Sequence, residues 1–167
     1  MTRKDIERIH YLADDIKVSK TSSIPFPCPI SRVEGWSDEN EKTHPKELTY
    51  SIFDDDIIVG ASILKKIDYK IKCAELAYWI GSSYWGNGIA TKASALLRDY
   101  AFKELGMEKL VAHALQKGNP ASSHILLKLG FSLDESREAL DVEGRFSESF
   151  PGDQWVFYKL DRSEANT

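Results

Sequence analysis

One joint constrains this chain more than any other stretch: Ser83-Tyr84-Trp85-Gly86-Asn87-Gly88-Ile89-Ala90-Thr91. An almost continuously apolar run, Cys73 to Gly81, leads into it. Such a run predicts a strand inside a sheet that is covered on both faces. Beyond the joint, Ile89, Ala93, Leu96, Leu97, Tyr100 and Ala101 recur at helical spacing, and Gly106 is placed to end that helix in a left-handed cap. Two glycines between a strand and a helix let the backbone approach a ligand and turn its N–H groups toward it. The start of the helix adds a partial positive charge, so the joint suits a phosphate or pyrophosphate. A nucleotide-binding phosphate loop is the poorer reading, because Gly88 is followed by Ile89 rather than by Lys and Ser/Thr.

The rest of the chain supplies the frame. Ile6, Ile9, Ala13 and Ile16 predict an amphipathic helix over 3–17. Pro25, Pro27 and Pro29 then impose an extended loop in which Ile24, Phe26 and Ile30 are expected to pack. A short helix around Ser31 to Glu41 would bury Val33 and Trp36. Leu48 to Phe53 and Ile57 to Lys65 alternate with period two around the Asp54-Asp55-Asp56 turn, which predicts an antiparallel hairpin. After the central helix come a short strand at Lys109 to Leu115 and a helix opened by Pro120 and closed at Gly130. An interrupted strand follows from Phe131, then turns at Gly144 and Pro151-Gly152-Asp153, and a last strand from Trp155 to Leu160. This order predicts one α/β layered domain over 1–167, with a mixed central sheet flanked by helices and a frayed polar tail at 161–167.

Composition bounds the function. With 167 residues, 42% of them hydrophobic, the chain is long and apolar enough for a real core. A net charge of −4 with both signs mixed gives no support for nucleic-acid or membrane-surface binding. There is no long apolar run for a membrane span and no apolar signal core at Met1-Thr2-Arg3-Lys4-Asp5. Cys28 and Cys73, with His10, His44, His113 and His124, show no metal-ligand spacing, so no metal is expected and a cytoplasmic location is.

The residues Tyr84 to Thr91 resemble the acyl-CoA signature of GNAT-type N-acetyltransferases. Asn119-Pro120-Ala121-Ser122-Ser123-His124 and Leu127-Lys128-Leu129-Gly130-Phe131 resemble the second motif of the ribosomal-protein-alanine acetyltransferase (RimJ/RimL-like) branch, and Ala74 to Gly81 fits its central strand. The resemblance spans roughly Asp5 to Leu160 and implies the GNAT fold, acetyl-CoA as co-substrate and an amine acceptor. It leaves open a protein N-terminus or a small molecule, and a monomer or a homodimer. There are departures: Ser83 stands for the usual Gln or Arg, Lys92 for Glu, His124 for Arg, and Leu126 for the tyrosine that many relatives use to protonate the departing thiolate. The family's first edge strand is missing or very short.

The resemblance assigns the pyrophosphate cradle to Gly86 and Gly88 with the backbone N–H groups of Asn87, Ile89, Ala90 and Thr91, flanked by Tyr84 and Trp85. It implies that Trp79 and Ile80 pair through their backbone with the pantetheine arm, that Asn119 bonds near the cofactor, and that Lys128 meets the 3′-phosphate. An N-cap for Asn119 and a solvated lysine are the plain structural alternatives. Glu75 is the expected general base: a carboxylate within an apolar strand has its pKa raised by desolvation. The plain alternative is a structural salt bridge. His113 and Tyr78 are weaker candidates, and Ser122 is the expected proton donor to the thiolate. A different class of function, a CoA-binding sensor without turnover, remains as the alternative.

Overall fold

The computed structural model describes residues 1–135 and 155–165. The first helix is broken in two. A single 3-10 turn at Arg3–Asp5 runs into α1 (Ile6–Ala13), and a short α2 (Ile16–Ser19) follows. Asp14 and Asp15 cause the break by bonding outside the helix. The Asp14 carboxylate accepts from Cys28 N–H at 2.8 Å, and that of Asp15 caps α2 by accepting from Lys17 N–H at 2.8 Å. Ile16 therefore ends exposed, and Leu12 joins Ile9 and Ala13 on the buried face. In the proline loop Ile24 and Cys28 are buried, whereas Phe26 and Ile30 face solvent. Helix α3 (Ile30–Asn40) buries Val33 and Trp36 as its apolar positions predict.

The sheet contains β1 (Leu48–Asp54), β2 (Ile57–Asp68), β3 (Cys73–Ile80), β4 (Lys109–Leu115), β5 (Ser132–Leu133) and β6 (Trp155–Asp161) in the order β1-β2-β3-β4-β6-β5. The β1–β2 hairpin is present, and among the described residues only β3–β4 pairs in parallel. The helix between them, α4 (Ile89–Lys103), and α5 (Pro120–Lys128) cover one face over Leu64, Leu76, Leu110, Leu126 and Leu160. Helices α1 and α3 cover the other over Ala61, Ile63 and Trp79. The buried stripe of α4 runs through Ser94, Leu97 and Ala101, so Leu96, expected in it, stands 74% exposed beside it.

Strand β1 is the sheet edge, and its pairing on the open side is confined to a few groups. The Met1 amino group donates to Thr49 O at 2.9 Å, and Asn40 grips both backbone groups of Thr49, at 2.9 and 2.7 Å. A side-chain amide thus stands where a neighbouring strand would pair. Residues 161–165, expected to fray, form a turn with Glu164 N–H and Ala165 N–H on Asp161 O. The turns expected at Gly144 and 151–153 lie outside the described residues.

Candidate active site

The site begins where the sheet divides. Strands β3 and β4 pair at Cys73↔Lys109, Ala74↔Leu110 and Glu75↔Val111, and then part. Gly81 N–H donates to Val59 O at 2.8 Å, and in an antiparallel ladder alternate residues face the same neighbour. The backbone groups of Ala77 and Trp79 therefore point to β2, and those of Tyr78 and Ile80 point into the fork. This corrects the expectation for Trp79, whose carbonyl abuts Gly60 of β2 and whose indole packs 6.4 Å from that of Trp36. Ile80 does face the fork, but its carbonyl already accepts from Trp85 Nε1 at 2.7 Å. Among the described residues, the groups left to pair there are the N–H and C=O of Tyr78 and the N–H of Ile80.

Four residues beyond Ser82 the chain turns through Gly86 at φ +83° and Gly88 at φ +72°. A side chain at either would be strained, and a Cβ there would meet nothing within 4 Å. The first helical bond of α4 runs from Lys92 N–H to Gly88 O, which leaves the N–H groups of Ile89, Ala90 and Thr91 without an intrahelical acceptor. Bare backbone, open space and a helix N-terminus together fit a pyrophosphate. Other residues of the joint brace this turn. Tyr84 OH accepts from Arg8 at 2.9 Å, and Asn87 Nδ2 donates to Tyr84 O at 3.3 Å.

A cavity of roughly 70 Å³ lies in the fork, between Tyr78, His113, Ser122 and Trp155 and, toward α3, Trp36. Ser122 faces Tyr78, whose hydroxyl lies 2.9 Å from Ser122 Oγ and donates to Ser122 O at 3.2 Å. The Tyr78 phenol is pushed up to about 12, chiefly by burial, so it keeps its proton at neutral pH. Asn119 is the N-cap of α5: Oδ1 accepts from Ser122 N–H at 3.1 Å, while Nδ2 donates to Thr21 O at 2.9 Å and ties the proline loop to this helix. Lys128 is exposed in the last turn of α5, with no ion pair among the described residues.

Glu75 is 3% exposed and does not line the cavity. Its Oε2 lies 3.1 Å from Lys66 Nζ and its Oε1 3.4 Å from His113 Nδ1. Burial opposes its ionisation, yet His113, Lys65 and Lys66 together outweigh that and hold the carboxyl below its usual range. The expected upward shift is thus reversed. The reason is a bulge: the β2–β3 register slips between Lys65 and Asp68, with Lys66 at φ +49°, and both lysines come to bear on Glu75. Burial lowers the pKa of His113 against the opposing pull of Glu75, so the imidazole is neutral at pH 7. It lies edge-on to Trp155, with ring centroids 4.8 Å apart. The arrangement is a carboxylate behind, a neutral imidazole at the cavity wall, and a protonated phenol–hydroxyl pair opposite. It can take a proton on one side and supply one on the other.

The acetyltransferase (GNAT) domain family model matches residues 1–132. The chain belongs to the GNAT acetyltransferase family. It is an acyltransferase enzyme, and acetyl-CoA is its co-substrate. The chain is 30% identical over 136 residues to a spermidine N(1)-acetyltransferase of Escherichia coli, covering 80% of this chain and 71% of the relative. It is 36% identical over 92 residues to a putative ribosomal N-acetyltransferase of Bacillus subtilis, covering 54% and 49%. Among solved structures, a probable acetyltransferase superposes with TM-score 0.77 at 25% identity, covering 98% of this chain and 91% of that one. The spermidine N-acetyltransferase of Vibrio cholerae, in complex with CoA and spermine, superposes with TM-score 0.80 at 20% identity, covering 100% and 95%. Among the described residues no cluster of three metal-ligating side chains occurs, and no helix is long and apolar enough to cross a membrane.

Proposed function

We propose that the chain acetylates a primary amine in the β3–β4 fork, by direct attack in a ternary complex, with His113 as the base that removes the amine's proton. Acetyl-CoA supplies an acetyl group activated as a thioester. The bare N–H groups at the start of α4 and the turn at Gly86 and Gly88 hold its pyrophosphate, and the fork-facing groups of Tyr78 and Ile80 pair with its arm. Glu75 acts behind His113, orienting the ring through Nδ1 and stabilising the charge it gains. The Tyr78–Ser122 pair donates the proton that the departing thiolate needs. A backbone N–H at Tyr78 or Ile80 faces the fork, where the developing oxyanion requires a donor.

The observation that carries this reading is the cavity at the fork, which His113, Tyr78 and Ser122 share. The relatives named for spermidine and for ribosomal proteins support an amine acceptor and agree with a RimJ/RimL-like placement. The test is release of free thiol from acetyl-CoA across a panel of small amines and N-terminal peptides. Acceptor-stimulated release supports transfer. Tight acetyl-CoA binding with no stimulation by any acceptor would instead support a CoA sensor without turnover.

A further inference from the structure

Among the further residues that line the cavity are two cations, Arg32 of α3 and Lys65 of β2. Neither forms an ion pair among the described residues. Arg32 is exposed; it rests over the Trp36 ring, 6.0 Å from its centroid, and donates to Ser23 O at 3.4 Å, at the α3 side of the chamber. Lys65 stands on the same face of β2 as Ala61 and Ile63 and acts on Glu75 without reaching it as an ion-pair partner, a place Lys66 takes. No Asp or Glu appears in the described lining. Among the described residues, Glu47 is a further carboxylate on which Arg32 and Lys65 both act, and it too lies outside the described lining.

Resting on the proposed acetyl transfer, we infer that the acceptor is a small amine that also carries an anionic group, a carboxylate or phosphate, held by Arg32 and Lys65 while its amine faces His113. A dication or polycation would bring like charge against both side chains without a carboxylate in the described lining to offset it. The E. coli and V. cholerae relatives are named for the polycation spermidine. Among the described residues the lining presents two cations and no carboxylate, which disfavours a polyamine. An anionic amine would set its charge beside Lys65, a cation that already bears on both Glu75 and His113, while its amine faces the imidazole.

The experiment compares matched acceptors: butylamine, putrescine and 4-aminobutyrate, then ethanolamine and O-phosphoethanolamine. Each is measured for turnover with acetyl-CoA and, by calorimetry, for binding to the protein with CoA. The expected result is at least about tenfold higher kcat/KM, and tighter binding, for the anionic member of each set. The two sets separate carboxylate from phosphate. Lys65→Gln and Arg32→Gln should each cut the ratio of 4-aminobutyrate to butylamine about tenfold, butylamine serving as each variant's own reference for any general loss. Lys65→Glu should move the preference toward putrescine. Putrescine or butylamine binding as well as 4-aminobutyrate, or ratios insensitive to both Gln variants, would overturn the inference. Calorimetry reads the preference even without thiol release, so a protein that binds anionic amines selectively but does not turn them over refutes acetyl transfer and leaves the charge preference standing.

Discussion

At the scale of single residues, the proposed mechanism gives His113 the role of base that the sequence suggests for Glu75. His113→Ala should lower kcat/KM by about 10²-fold or more while acetyl-CoA affinity holds, as loss of a general base does. In the parent protein the acid limb of kcat/KM should lie below pH 6.5, because burial holds the His113 pKa down. Glu75 pulls that pKa up, so Glu75→Gln should move the limb to lower pH and reduce the plateau. A limb that stays in place would separate Glu75 from His113. On the other wall, Tyr78→Phe removes a phenol that stays protonated and leaves Ser122 Oγ without its 2.9 Å partner. It should lower kcat by roughly tenfold or more, and more than Ser122→Ala does if the phenol is the proton source. Equal loss in the two single variants and the double variant would mark the pair as one unit.

At the scale of elements, two glycines do different work. Gly88 holds a left-handed turn in open space, so Gly88→Ala should cost about 1–2 kcal/mol of stability from backbone strain. A bulky side chain there should abolish acetyl-CoA binding with a similar cost, read by calorimetry and thermal melting together. Gly60 lies against Trp79, where an added Cβ would stand 2.9 Å from Ile80 Cα. Gly60→Ala should destabilise by about 1–3 kcal/mol, measurable in urea, and should loosen β3 where it borders the fork. The joint and the strand before it were legible because their signal is local: apolar run, paired glycines, helical period. The break in the first helix was not, since Asp14 and Asp15 leave it for partners at Cys28 and Lys17, and a period of apolar residues carries no record of those bonds.

At the scale of the whole molecule, the chamber collects Arg32, Lys65, Tyr78, His113, Ser122 and Trp155 from six different elements. Tyr78, His113 and Ser122 stand out in the sequence as candidates, whereas Arg32 and Lys65 read as ordinary residues of their own segments. The bulge that turns Lys66 onto Glu75 and reverses the expected shift left no mark in the sequence either. That cluster also sets how the fold responds to acid. Glu75 and His113 both have pKa values below their ordinary ones in the folded state, so the unfolded chain binds more protons as pH falls. Their stabilisation is complete above pH 6.5. It should fade first as His113 begins to take up a proton, and again below about 4.5 as Glu75 does. Denaturant midpoints followed from pH 7.5 to 4 should decline in that range, and His113→Gln should flatten the upper part of the decline.

The parting of β3 from β4 has a mechanical consequence. Three residue pairs join two half-sheets, and beyond them the tie from Asn119 to Thr21 is a brace across the mouth. A guest laid along Tyr78 and Ile80 would be a missing rung in a ladder, so loading the enzyme also completes its chassis. Rigidity would then be delivered together with the acetyl group and surrendered with the spent carrier.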